Sequence, residues 1–543
     1  MPTLIASPLG LEKIRQARSE RGWGWSTDDN DACLVAASQV LDSARQWSEG
    51  GPYANGISGG TWKRFLSGRH AIGAAAFKAY CHVLGLDWED VVARDSSPSD
   101  VRRQDWGEAP DISGFWGRTT ELSQLEQWIV KDGCRLLAVL GMGGIGKTAL
   151  SVKLAEQIQQ HFDLLIYRSL QDAPPAEEMM ASLVEFLSGR SEHHLSVSLE
   201  GRISDLMDCL RSRRCLLLLD DVEAVLRGGE LVGRYRDGYK GYGKLIRCVG
   251  EERHQSCMIL ISREQPIEIA ALAGPMQPVR ERQLRGVNWE DGKRILEATG
   301  LTSSGSGLEA LIQRYRGNPS ALKVVSKIIQ EFFGSSIAEF LDQSTVFVGD
   351  VVSEILHEQF GRLSSLEMSI MYWLAIACQP VSLLELKHDL WMSVSLSDLL
   401  QALQSLQRRS LIEKEQSAQS NEAIFMLQPV VMKHVTNRLI DQACRDIIAV
   451  VKALDVQKLG LLRSHALVRD QGEQGDLKPV QVRLILNRIR DCIQDILSRE
   501  RSVEEQLQDI LSLIHGKPSS VVGYAEANLQ SLLDGVRAGN DMP

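Results

Sequence analysis

The stretch Gly141-Met-Gly-Gly-Ile-Gly146-Lys147-Thr148 constrains this chain more than any other. It fits the spacing G-x-x-x-x-G-K-[ST], and its flanks are the ones that spacing needs. Ahead of it, Arg135-Leu-Leu-Ala-Val-Leu140 predicts a buried strand. Behind it, residues 149–158 carry apolar side chains at helical spacing. A strand, a glycine loop and a helix N-terminus together make an anion cradle. Gly141, Gly143, Gly144, Ile145, Gly146 and Ala149 form its backbone wall. The glycines let N–H groups curl around phosphate oxygens. Lys147 can reach β- and γ-phosphates, and the Thr148 hydroxyl can ligate Mg²⁺.

Two further strands end in polar residues. Leu216-Leu-Leu-Leu-Asp220-Asp221-Val-Glu223 is an apolar strand closing on acids, where one carboxylate helps hold Mg²⁺. Asp220 is the metal-side candidate and Asp221 the candidate for orienting a hydrolytic water. The alternative for Asp221 is a helix N-cap. Met258-Ile-Leu-Ile-Ser262-Arg263-Glu264 ends in a guanidinium whose planar fork matches phosphate oxygens. A surface ion pair with a nearby acid is the alternative for Arg263.

Composition narrows the partners. The net charge of −10 over 543 residues rules out a chain that binds polyanions over its whole surface, so any nucleic-acid contact must be a local basic patch. The ten cysteines are scattered and none forms Cys-x-x-Cys. That pattern predicts reduced, mostly buried thiols and, with neither a signal peptide nor a membrane-spanning run, a cytoplasmic protein without membrane contact.

The expected fold is multidomain. Residues 1–93 read as a helical domain and 94–111, polar with two prolines, as a linker. Over 112–275, candidate strands at 135–140, 163–168, 215–219 and 257–261 alternate with helical stretches, the signature of an α/β domain with a parallel sheet. Residues 276–348 read as a helical domain. Residues 349–440 read as helices followed by a two-stranded hairpin, a winged helix, with Ser397 capping a helix over 398–407. Residues 441–543 read as a helical region.

The motifs in order are Phe115-Trp-Gly-Arg118, GMGGIGKTAL, LLLLDDVE, ILISRE and Gly317-Asn-Pro319. Together they resemble the NB-ARC group of STAND P-loop ATPases, in particular bacterial members of the cyanobacterial type. The resemblance covers about 105–440. It implies ATP or ADP with Mg²⁺ as the bound group. It implies that Trp116 and Arg118 line base and ribose, that Arg263 is the sensor arginine and that Pro319 packs on adenine. The family's winged-helix His-Asp pair corresponds here to Gln428-Pro429. Gln428 is then either a hydrogen-bond donor to the nucleotide or a satisfied residue of the wing.

Residues 58–69, with the helix that follows and Leu84-Gly-Leu-Asp, resemble the helix-turn-helix of XRE-type regulators, with residues 58–78 the candidate DNA contact. Residues 58–78 hold Lys63, Arg64, Arg69 and Lys78 and no acid, which suits phosphate contact. A helical adaptor with a solvated basic face is the alternative; Trp62 and Phe65 are expected in the core. The expected function is a signalling switch that binds ADP or ATP and changes conformation or assembly state on exchange, with weak, slow hydrolysis. Its rivals are a nucleotide-gated transcription regulator and a rapidly cycling ATPase. Self-assembly or a separate sensor or effector protein would complete it.

Overall fold

The computed structural model describes residues 3–21, 27–48, 50–68, 72–92, 103–189, 196–301, 306–343, 346–390, 394–417, 422–468, 477–497 and 501–540. The chain divides into two compact units, Met1–Val101 and Arg102–Pro543.

The first unit contains a two-residue strand β1 (Thr3–Leu4), helices α1 (Pro8–Glu20), α2 (Thr27–Leu41) and α3 (Gly59–Ser67), strand β2 (Ile72–Gly73) and helices α4 (Ala74–Leu84) and α5 (Trp88–Val91). Ser58 caps α3, its hydroxyl accepting from the Thr61 amide at 3.1 Å. Trp62 and Phe65 lie three apart and so share a helix face. Both are buried, stacked on each other and packed on Phe77 and Tyr80 of α4. This is the core position the sequence predicts for them. The connection before α3 departs from the helix-turn-helix spacing. Residues 42–58 separate α2 from α3, where that motif uses a turn of about three or four residues.

The second unit opens with β3 (Arg103–Asp105) and α6 (Thr119–Glu126). Then come β4 (Leu136–Leu140), α7 (Lys147–Ile158), β5 (Leu164–Ser169), α8 (Ala176–Ser188), α9 (Leu199–Ser212) and β6 (Cys215–Asp220). Next are α10 (Lys240–Glu251), β7 (Cys257–Ser262), α11 (Ile267–Leu272) and β8 (Val279–Gln283). The six strands make one parallel sheet in the order β3-β5-β6-β7-β4-β8. β6 and β7 are buried along their whole length, which is why they read as unbroken apolar runs. Successive residues serve opposite faces. Leu136, Ala138 and Leu140 pack into one core and Leu137 and Val139 into the other.

Both sheet edges correct the sequence reading. The expected linker 94–111 contains β3, whose residues pair with Leu164–Ile166, and Trp106, Ala109 and Ile112 pack against the sheet. The sheet also extends past 275 to β8. Arg-Gln-Asp and Val-Arg-Glu-Arg-Gln hide from a search for apolar runs, because an edge strand needs few apolar side chains.

Helices α12 (Trp289–Ala298), α13 (Ser306–Arg314), α14 (Pro319–Phe332) and α15 (Ile337–Asp342) follow. Then come α16 (Asp350–Gly361), α17 (Ser365–Ala377), β9 (Val381–Ser382), α18 (Leu383–Asp389) and α19 (Leu396–Arg408). The hairpin β10 (Glu413–Gln416) and β11 (Ala423–Met426) leads into α20 (Pro429–Ala453). β9 completes a three-stranded antiparallel sheet with the hairpin. The cap of α19 is Ser395, not Ser397; Ser397 lies inside the first turn. Helices over Asn487–Leu497, Val503–Ile514 and Ala525–Asn540 complete the described chain. Asn528 is buried there and clamps the chain, donating to the Leu462 and His465 carbonyls and accepting from the Leu467 amide, each at 2.8 Å. All ten cysteines are free thiols, six of them buried. Among the described residues no helix is long and apolar enough to cross a membrane.

Trp62→Ala is expected to destabilise the first unit by about 3–5 kcal/mol, the usual cost of deleting a buried aromatic ring. Thermal unfolding should then show a separate early transition, and a single unshifted transition would contradict this packing.

Candidate functional site

Parallel sheets place ligands beyond the carboxyl ends of their strands. Three neighbouring strands, β6, β7 and β4, end together here. The loop 141–146 leaves β4 and delivers the chain to α7 through two left-handed glycines. Gly144 has φ +74° and Gly146 φ +95°, a region that favours residues without a Cβ. Gly144 also lies against Ser320, and its carbonyl accepts from the Ser320 amide at 3.3 Å.

A cavity of about 360 Å³ lies against this loop, within the range of small-ligand sites. Trp116, Arg118, Gly143, Gly144, Gly146, Lys147, Thr148, Ala149, Asp220, Asp221, Arg263 and Pro319 all line it. Gly141 and Ile145 belong to the same loop without lining that cavity. Gln428 is elsewhere. It lines a second cavity and donates to Glu413 Oε1 at 2.9 Å.

The charges at the loop are buried. Lys147 is 8% exposed, and its Nζ donates to the Met142 carbonyl at 3.2 Å. Burial pushes the ammonium down from its ordinary pKa, with Glu223, Asp220 and Asp221 opposing that shift. Asp220 is 3% exposed. Its carboxylate accepts from the Tyr167 hydroxyl and the Asp221 amide at 2.9 and 2.8 Å, and bonds the Thr148 hydroxyl. Burial, with the neighbouring Asp221 charge, still raises its pKa to about 6. Asp221 is left-handed at φ +54° and precedes a short 3₁₀ turn. Its side chain makes no cap hydrogen bond; it accepts from Ser169 Oγ at 3.1 Å. Its pKa is also raised, by burial and then by Glu223.

Arg263 is held by acids. Glu223 accepts from its Nε and backbone amide, each at 3.0 Å, and Glu358 of α16 accepts from Nη1 at 3.3 Å. Arg118 is 2% exposed and ties elements together. It donates to the Ile145 and Arg285 carbonyls at 2.7 and 2.9 Å and pairs with Glu121. Pro319 opens α14 after the capping Asn318, whose Nδ2 is buried without a hydrogen-bond partner among the protein atoms.

The residues fit a nucleotide with Mg²⁺. A buried ammonium and a carboxylate of raised pKa line one cavity, and a bound anion and cation would satisfy them. Tyr167, Ser169 and Glu223 are contributors that the sequence reading did not assign. For Tyr167 the available signal was the period of two in β5, which aims it to the side away from Ile166.

Of the four basic residues read for phosphate contact, three fall among the described residues. Lys63 and Arg64 are exposed, and Arg64 Nε donates to the Gly60 carbonyl. Lys78 lies over the Trp88 ring, 3.6 Å from its centroid. Arg69 falls outside the described residues.

Residues 118–227 match the NB-ARC domain family. The chain is 41% identical over 583 residues to an uncharacterized WD repeat-containing protein of Nostoc sp., covering 98% of this chain and 45% of that protein. It is 24% identical to the disease resistance protein RRS1 of Arabidopsis thaliana, over 48% of this chain and 22% of that one. The chain thus spans less than half the length of these relatives. Among solved structures it is similar to a Walker-type ATPase of Pyrococcus abyssi. The TM-score is 0.42 at 16% identity, covering 62% of this chain and 99% of that one.

The raised pKa of Asp220 has a consequence for stability. A carboxyl with a folded pKa above its unfolded value binds more protons when folded, so it costs stability as pH rises. The cost is absent below the ordinary value of 3.8 and complete above about 6. From 3.8 to about 6 it reaches roughly 3 kcal/mol. Without nucleotide or Mg²⁺, the Tm of Asp220→Asn relative to the parent should therefore climb between pH 4 and pH 7. A constant difference across that range would refute the buried charge.

Proposed function

Because the chain carries an NB-ARC domain, a P-loop nucleotide-binding module, we propose that it is a signalling switch operated by ADP and ATP. The observation that carries this reading is the reach of α16 to the phosphate loop. Ile355 packs on Gly143, and Glu358 holds Arg263. A side chain from the module beyond residue 349 thereby occupies the guanidinium best placed to read a γ-phosphate. Nucleotide state and module arrangement are linked through that contact.

The residues take these roles. Backbone amides of the loop 141–146 and the Lys147 ammonium bind the phosphates. Thr148 and Asp220 would hold Mg²⁺, which would supply positive charge against the phosphate oxygens. Trp116 and Pro319 flank the base. Asp221, oriented by Ser169, accepts a hydrogen bond from the attacking water. Its left-handed backbone turns the carboxylate out of the strand direction toward the cavity. Arg263 exchanges Glu358 for the γ-phosphate when ATP is bound. Such an exchange biases an equilibrium between two arrangements only by the difference in contacts that each nucleotide makes. Hydrolysis returns the site to ADP and is slow, because a switch must dwell in each state.

Gln428 has no part in this reading. It is occupied with Glu413 in the second cavity.

Two measurements test the proposal. Lys147→Ala removes a charge-assisted contact worth about 1.5–3 kcal/mol, so nucleotide affinity in calorimetry should fall at least roughly tenfold. Asp221→Asn should leave affinity within about twofold and abolish most of the single-turnover hydrolysis. Unchanged affinity in the first variant would remove the phosphate role. Parental hydrolysis in the second would remove the water-orienting role.

A further inference from the structure

At the end of β7 successive residues face opposite ways. Arg263 faces the nucleotide cavity. Glu264 is buried on the other side, its side chain 3% exposed, among residues of the 350–440 module. Its Oε1 accepts from Arg362 Nε at 2.6 Å and from Arg409 Nη1 at 2.5 Å, and its Oε2 from Arg362 Nη2 at 3.1 Å. Arg409 is 1% exposed and shares its charge with Glu367, Nε to Oε1 at 3.2 Å. Two carboxylates and two guanidiniums thus balance inside the protein.

The surrounding contacts are polar as well. Arg362 Nη2 donates to the Glu223 and Leu226 carbonyls, each at 3.0 Å. Arg409 Nη2 donates to the Glu230 carbonyl at 2.7 Å. The Gly229 amide donates to the Arg362 carbonyl at 2.8 Å, the Val232 amide to Ser405 Oγ at 2.9 Å and the Gln265 amide to the Arg408 carbonyl at 3.1 Å. A contact built this way differs from a permanent core. Each group satisfied here by protein can be satisfied by water when the two sides part. Arg409 would keep Glu367 in the separated state, whereas Glu264 would lose both guanidiniums to water.

We propose that Glu264 is the lock of the closed arrangement: the carboxylate on which Arg362 and Arg409 dock to hold the 350–440 module against the nucleotide-binding sheet. This rests on the switch reading above and assigns its restraint to a protein–protein charge cluster. Gln428, facing the second cavity, supplies none. The lock is connected to the nucleotide through Glu223. The Glu223 side chain positions Arg263 by its Nε and amide, and its carbonyl receives Arg362. Movement of Arg263 toward a γ-phosphate therefore loads the same residue that helps hold the lock.

Removing one member of a buried charge pair leaves the other uncompensated and is far more costly than removing both. In the closed state Glu264→Gln would leave Arg362 and Arg409 facing each other. The open state, where these groups are hydrated, bears no such cost. In the full-length chain Glu264→Gln should raise the preference for a non-hydrolysable ATP analogue over ADP by roughly tenfold or more. Hydrogen exchange at the Gly229 and Val232 amides, whose acceptors lie across the contact, should accelerate by a similar factor. Arg362→Gln, at a partly exposed position, should move both readouts the same way and serves if Glu264→Gln does not fold. The double variant should fall short of the sum of the two. Parental exchange at 229 and 232 in variants that still bind nucleotide would overturn the lock and leave the switch reading intact. Loss of nucleotide binding in the parent chain itself would overturn the switch reading instead.

Discussion

Lys147 and Asp220 are opposite charges buried at the carboxyl edge of a sheet that is apolar on both faces. The rest of the second unit is arranged around the cost of keeping them there. An ammonium and a carboxylate cannot be removed from water without compensation. The protein supplies it in part, through the Met142 carbonyl on one side and Tyr167, Thr148 and the Asp221 amide on the other. The shifts of both groups toward their neutral forms register what remains unpaid. A phosphate and a divalent cation would complete both. The apolar interior makes this possible, since β6 and β7 are buried along their whole length and end at Asp220 and Ser262.

The parts of the fold written in long apolar runs were legible in the sequence. The four central strands lie within a residue of where their aliphatic runs place them, and the P-loop with its flanks fixes the crossover from β4 to α7. The two edge strands were not, because β3 and β8 are mostly charged and are held by backbone pairing to a neighbour already in place. The cap of α19 slipped by two residues because Ser395 and Ser397 both have the needed hydroxyl. Only the backbone decides which one sits at the boundary.

The site shows the same division. Lys147, Thr148, Asp220, Asp221 and Arg263, which stand in three separate motifs, line one cavity. Residues that support them do not announce themselves. Glu223 and Glu264 stand inside stretches read for Asp220, Asp221 and Arg263, yet Glu264 is occupied with arginines whose positions no local pattern reveals. Arg362 lies 98 residues from the carboxylate it meets, and Arg409 lies 145 away. The ion pair at Arg263 was foreseen as one alternative, but its partners divide unequally. Glu223 is nearly buried and Glu358 is mostly exposed, with side-chain exposures of 12% and 64%. The first holds Arg263 in place. The second, screened by solvent, is the one that a phosphate can displace at small cost.

That inequality suggests how a weak signal could be read without a large conformational force. Exposed ion pairs contribute about 0–1 kcal/mol, so the Glu358 contact alone cannot hold two modules together. Nor can the buried cluster at Glu264 be opened by a nucleotide that never touches it. Glu223 joins them: it lines the cavity, restrains Arg263 with its carboxylate and receives Arg362 with its carbonyl. On the proposed switch reading, the exposed pair sets whether Arg263 is available, and the buried cluster sets how much the closed arrangement is favoured. Separating the reading contact from the holding contact lets each be tuned by substitution without disturbing the other, and it leaves the phosphate-binding loop unchanged by either.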